Sequence, residues 1–179
     1  MVTEKLAKVA GFNTLKSVIQ LVTLCDYGAE IRTTLETLSL LKKGHIHGMA
    51  GYCGIGSLLL HKAASSVNIK TDFILGTFKT SKESKKLSGH CWVEFENNII
   101  DVTASQFGME SRVYVSTLED DRYRFIIKND LAIVSIESSW PNEQKLSTYA
   151  KDLIFISKTV ERVALEMMRK RGNSAEKSA

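Results

Sequence analysis

The chain of 179 residues holds one proline and three cysteines. It has no apolar run near the roughly 20 residues that cross a bilayer, so no membrane span is expected. Cys25, Cys53 and Cys91 form an odd set without a C-x-x-C pair. That argues against a disulfide framework and against a cysteine-rich zinc site. The first ten residues, M-V-T-E-K-L-A-K-V-A, alternate charge with apolar side chains and lack the continuous apolar segment of a signal peptide. The expectation is a cytoplasmic chain, or one exported without a conventional signal peptide. Aromatics are missing from the two basic stretches, K-T-S-K-E-S-K-K (79–86) and the tail 169–179, and the net charge is only +4. Basic segments without interleaved aromatics argue against a nucleic-acid partner. No internal repeat is present.

An apolar fraction of 44% and a charged fraction of 25% are ordinary for a globular chain. The length suits one domain over 1–171, followed by a disordered tail over 172–179. Leu15, Val18, Ile19 and Val22 recur at helical spacing. Leu35, Leu38, Leu40 and Leu41 suggest a second helix after a break at Asp26-Tyr27-Gly28. Four glycines in K-K-G-H-I-H-G-M-A-G-Y-C-G mark a loop. From Ile55 to Ala64 the pattern is helical again, with a first turn at or just after Cys53.

The period then changes. D-F-I-L-G-T-F, H-C-W-V-E-F-E, I-I-D-V-T-A-S, R-V-Y-V, R-Y-R-F-I-I-K and A-I-V-S-I-E all read as strands. Asn97-Asn98 suits a hairpin turn, because asparagine tolerates positive φ. Pro141 suits the first turn of a long C-terminal helix, whose stripe runs from Leu146 to Met167. Helices, then strands, then a helix make an α+β domain.

In the hairpin, alternation puts His90, Trp92 and Glu94 on one face and Cys91, Val93 and Phe95 on the other. A turn at Asn97-Asn98 pairs Glu94 with Asp101. It leaves His90 two pairs away from that aspartate, on the same face; a longer turn or a bulge would shorten the gap. A carboxylate beside a histidine fixes its tautomer and stabilises the imidazolium. A cysteine at a helix start gains from the helix dipole, and neighbouring glycines let backbone N–H groups approach a substrate carbonyl. Cys53, His90 and Asp101 therefore form a nucleophile, base and orienter set. Cys53 alone would be read as a buried structural cysteine, and Cys25 and Cys91 are read as core.

G-Y-C-G at a loop-to-helix junction, G-H-C-W-V-E-F on one strand and I-I-D-V-T on the next resemble the transglutaminase-like branch of the papain-like cysteine enzymes. The H-x-W-V-E…I-x-D pattern is also similar to the leader peptidases of lasso-peptide biosynthesis, and G-Y-C resembles arylamine N-acetyltransferases. The resemblance covers residues 48–106. It implies a papain-like domain in which a helix-borne cysteine packs on an antiparallel sheet. It also implies thiol acyl-transfer chemistry on a protein or peptide substrate, without metal or cofactor. The activities it allows are peptidase, amidase, glutamine deamidase and transglutaminase. Hydrolysis is expected over amine transfer, because a cationic 79–88 loop repels a lysine acceptor.

Around this set, His47 is either a surface loop histidine or an oxyanion donor, and Tyr52 can lend its backbone or ring to an acyl pocket. Trp92 is placed over the histidine, in a channel wall or in the core. Gln106 either lines the cleft or caps a turn. A His45-His47-His90 metal site is conceivable, but no carboxylate or cysteine spacing supports it.

Overall fold

The computed structural model describes residues 14–43, 51–80 and 87–138. Three helices pack on one face of a five-stranded sheet whose neighbours are all antiparallel, so the chain is α+β. Helix α1 spans Leu15–Lys43 and helix α2 spans Cys53–Ser66. Strands β1 (Asp72–Lys79), β2 (Leu87–Phe95), β3 (Asn98–Asp101), β4 (Tyr114–Thr117) and β5 (Tyr123–Lys128) follow, then helix α3 (Asn129–Ser138). The spatial order is β4-β3-β2-β1-β5. Helix α2 lies on β2 and β1, α1 on α2 and β3, and α3 on β1 and β5. The C-terminal helix expected from Pro141, the tail, and both His45 and His47 lie outside the described residues. Among the described residues, no helix is long and apolar enough to cross a membrane.

The expected break at Asp26-Tyr27-Gly28 is absent: α1 runs through it. A glycine inside a helix costs about 1 kcal/mol against alanine. Here close packing offsets the cost. A Cβ on Gly28 would stand 3.0 Å from Val102 and 3.1 Å from Val113, so the bare Cα sets how near α1 comes to the sheet. The buried row of α1 is Val18, Leu21, Leu24, Tyr27, Ile31 and Leu35. Of the row read from the sequence, Leu15, Ile19 and Val22 are exposed and only Val18 is covered. Both rows keep helical spacing, and the packing against α2 decides which is buried. Full burial of a side chain such as Leu24 or Leu35 contributes roughly 1.5–3 kcal/mol.

A second correction concerns A-I-V-S-I-E, which falls in α3 and not in a strand. Asn129 adopts a left-handed φ of 52° after β5. Its side chain accepts from the Phe73 N–H (2.9 Å) and donates to Asp72 (2.7 Å), tying the turn to β1. Ala132, one turn on, is then buried in the cluster that holds Phe73 and Leu58. The β-branched residues that suggested a strand are overridden by this turn and this docking.

The third correction positions the site. The hairpin turn is Glu96-Asn97, one residue earlier than expected, and Glu96 takes the positive φ of 52°. The register is Val93↔Ile100, Glu94↔Ile99 and Phe95↔Asn98, which continues to place Trp92 opposite Asp101. Moving the turn by one residue shifts every pairing by two, so the faces are kept while His90 comes one pair nearer to Asp101. No longer turn and no bulge is required. Diagonal neighbours of this kind are within side-chain reach.

The helix-covered face buries Val93, Phe95, Ile100 and Val102 with α1 and α2. The opposite face carries a smaller cluster of Ile74, Phe78, Trp92, Ile99 and Tyr123, closed by Phe107, Met109 and Tyr114. Gly76 lies opposite His90 in β1. A Cβ there would stand 2.2 Å from the Arg124 carbonyl oxygen and 2.4 Å from the Trp92 ring. The ring can cross the sheet only because that position has no side chain.

Candidate active site

Cys53 is the first residue of α2. Gly51, at φ +86°, turns the chain into the helix in a conformation that suits glycine. Tyr52 is the N-cap residue, is buried, and makes no side-chain capping bond; its carbonyl accepts from the Gly56 N–H at 2.9 Å. The first-turn N–H groups of a helix have no partner inside it and carry partial positive charge. Cys53 stands in that first turn. Gly56 seats the helix, since a Cβ there would lie 2.8 Å from Val102 and 3.0 Å from Leu35.

His90 is 1% exposed. Its Nε2 is 2.5 Å from Asp101 Oδ2, and the two side chains are fully buried. With Nε2 held by the carboxylate, Nδ1 is left to face the Cys53 thiol, whose interaction with the imidazole raises the His90 pKa. Nδ1 also lies 3.3 Å from the Gln106 amide nitrogen. Four aromatic rings enclose the imidazole. Phe107 stands edge-on at 4.9 Å and Phe78 edge-on at 5.9 Å; Trp92 is stacked at 6.1 Å and Tyr123 tilted at 6.2 Å.

Asp101 accepts at both oxygens. Oδ2 takes the Tyr123 hydroxyl (2.9 Å) besides His90. Oδ1 takes the Thr103 N–H (2.8 Å) and the Thr103 hydroxyl (3.1 Å). Arg32 of α1, itself buried, donates to the Val102 carbonyl at 3.2 Å and so pins the turn between Asp101 and Thr103. A buried carboxylate is costly unless it is well supplied with donors, and this one has four.

Burial alone would lower the pKa of His90. The Asp101 hydrogen bond and the Cys53 contact outweigh it and raise the group to about 9. Cys53 moves the opposite way, to about 4: the Cys91 thiol donates to it, burial opposes, and the His90 imidazolium beside it favours the thiolate. Cys91 is pushed up by its bond to Cys53 and by burial. Of these two touching thiols, Cys53 is the one to ionise. It alone sits at a helix N-terminus beside an imidazolium, whereas Cys91 is buried among Leu58 and Phe73. Tyr123 is raised by burial and by the charge of Asp101, so it stays a hydroxyl donor.

The structure brings Cys53, His90, Asp101 and Gln106 into one contiguous group. Trp92 is 1% exposed and packs beneath the imidazole, with its Nε1 donating to Glu94 at 3.1 Å, so it does not wall a channel. Tyr52 contributes its backbone to the helix start and its ring to the core. Among the described residues no group of three His, Cys, Asp or Glu side chains could hold a metal ion. Thr103, Tyr123, Phe78 and Phe107 were not singled out from the sequence. Thr103 alone has a local signal, standing two residues after an aspartate at the spacing of an Asx-turn. Comparison with protein-family models, curated proteins and solved structures returned no match.

Proposed function

We propose that the chain is a cysteine-dependent hydrolase of amide bonds in a protein or peptide, of peptidase or glutamine deamidase type, with a papain-like, transglutaminase-like arrangement. The observation that carries this reading is the unbroken chain from the Cys53 thiolate to the His90 imidazolium to the Asp101 carboxylate. Such a chain supplies a nucleophile, an acid–base group and an orienter without further parts.

In this reading the Cys53 sulfur adds to the amide carbon. The negative charge that develops on the carbonyl oxygen is met by first-turn N–H groups of α2 and by the Gln106 amide. His90 gives its Nδ1 proton to the leaving nitrogen, the C–N bond breaks and a thioester remains. The neutral imidazole then takes a proton from water, the hydroxide adds to the thioester, and the thiolate leaves. Asp101 holds the ring in place throughout. Trp92, the aromatic that the sequence offered as a wall for an amine acceptor, is buried, which favours water as acceptor.

The test is intact-mass measurement after exposure to a panel of amide and ester acyl donors, with excess primary amine in a parallel arm. An acyl adduct confined to Cys53 and lost in Cys53→Ala is expected, with water-derived product in both arms. Absence of any adduct across the panel overturns the enzyme reading. Predominant amide product in the amine arm moves the chain to the transferases.

A further inference from the structure

In acyl transfer the second thiol of the site forms no bond to the substrate. Cys91 follows His90 in β2, and its side chain leaves the strand on the helix-covered face. Two features hold it against Cys53. Ser57 Oγ donates to the Cys91 carbonyl at 3.0 Å inside the core. Ser57 stands one helical turn after Cys53, on the same side of α2. The same stripe of α2 therefore grips the backbone of Cys91 with one residue and packs the other against the cluster that holds its side chain. The two thiols share one apolar cluster with Leu58 and Phe73, and each shifts the titration of the other. Cys25, the third cysteine, packs against the separate cluster between α1, α2 and the sheet.

We propose that Cys91 is a resolving thiol for Cys53, so that a hydroperoxide converts the pair into a Cys53–Cys91 disulfide that silences the nucleophile reversibly. In the first step the Cys53 thiolate attacks the outer oxygen of the hydroperoxide. The O–O bond breaks, the alcohol or water leaves with a proton from His90 or solvent, and Cys53 becomes a sulfenic acid. In the second step the Cys91 sulfur attacks the Cys53 sulfur. The S–O bond breaks, the departing hydroxide takes the Cys91 proton as water, and the disulfide forms. Two thiols are oxidised by two electrons in all, and one peroxide is reduced.

The order of events is built into the pair. While Cys53 is a thiolate, its negative charge keeps the Cys91 proton in place. Once Cys53 is a sulfenic acid that charge is gone, and Cys91 can release its proton when it is needed. Cys53 is the partly exposed member and Cys91 the buried one, so peroxide reaches the first and only the first can reach the second. Without a resolving thiol, a sulfenic acid in contact with oxidant proceeds to the irreversible sulfinic acid.

The experiment treats the full chain with hydrogen peroxide, blocks remaining thiols with iodoacetamide under denaturing conditions, and maps non-reduced peptides by mass. The expected product is one cross-linked peptide pair joining Cys53 to Cys91, with Cys25 alkylated, and full return of both thiols on reduction. Cys91→Ala and Cys91→Ser should lose the cross-link and accumulate Cys53 carrying two or three added oxygens that reduction does not remove. A cross-link through Cys25, or irreversible oxidation of Cys53 at the same rate with and without Cys91, overturns the proposal. No substrate is needed, so this outcome is independent of whether the acyl-transfer reading holds. The cross-link in the unmodified chain tests the proposal even where a Cys91 variant fails to fold.

Discussion

Alkylation of Cys53 should be nearly independent of pH where an ordinary thiol is not. Its pKa is lowered from 9.0 to about 4, while that of His90 is raised to about 9. Between those values the thiolate–imidazolium pair is intact. The pair is lost as pH falls through the Cys53 value, which protonates the sulfur, and as pH rises through the His90 value, which removes the imidazolium. At about pH 5, a thiol of ordinary pKa is ionised to roughly one part in ten thousand, and Cys53 almost completely. A thiolate of low pKa is also a weaker nucleophile. With a Brønsted slope of about 0.4–0.5, five units of acidity cost roughly 100- to 300-fold in intrinsic rate. The net advantage at about pH 5 is therefore roughly 30- to 100-fold over a free thiol, shrinking to about 3- to 10-fold at about pH 6. Cys25, raised to about 11 by burial and by Asp26, should fall further behind. The assay is iodoacetamide labelling of the native protein across this range, quantified for each cysteine by peptide mapping. Cys53 should show a plateau from about pH 5 to about pH 8, where a plain thiol climbs about tenfold per unit. A Cys53 rate that climbs in that way would refute the ion pair. Because the Cys91 thiol also favours the thiolate, His90→Ala should raise the inflection without restoring an ordinary thiol.

Two further outcomes follow from the buried contacts. Tyr123→Phe removes one of four donors to Asp101 and should cost about 1–3 kcal/mol in chemical denaturation while the alkylation plateau survives; unchanged stability would show the hydroxyl to be dispensable. Gly76→Ala forces a methyl into the Arg124 carbonyl and the Trp92 ring, so β5 or Trp92 must move, and a loss of at least about 2 kcal/mol with a changed tryptophan emission is expected; a stable protein with unaltered emission would mean that the sheet relaxes there without strain.

The parts legible in the sequence were those with a strict local period. Alternation in β2 separates His90 and Trp92 from Cys91 and Val93, and the structure keeps that division. The distance from His90 to Asp101 was not legible, because the turn occupies Glu96-Asn97 where two asparagines stand at 97 and 98. A change of one residue in the turn preserves the faces and alters the pairing by two, so the pattern constrains the face and leaves the offset open. Two apolar rows on α1 satisfied the same helical period, and the neighbouring helix made the choice. Tyr123 reaches Asp101 from β5, with β2 and β1 lying between β5 and β3, and no local pattern announces such a contact. Ala132 to Glu137 were read as a strand from their β-branched content, yet the bonds of Asn129 to Phe73 and Asp72 start a helix there.

The placement of the sulfur follows from two adjacent residues that point in opposite directions. His90 leaves β2 toward the aromatic face and Cys91 toward the helical face, and the Cys53 thiol interacts with both. A group that touches both cannot lie over the middle of the sheet; it must stand beside the edge of β2. That edge is vacated by β3, whose pairing with β2 covers only Val93–Phe95. The chain leaves β3 at Asp101 and turns through Val102 and Thr103, where the side chains of both residues come up against Gly56 of α2. The short third strand thus does two things. It ends on the carboxylate that holds His90, and by ending there it leaves a place where the start of a helix can approach the edge of the sheet. A longer β3, paired with β2 back to His90, would occupy the position of Cys53.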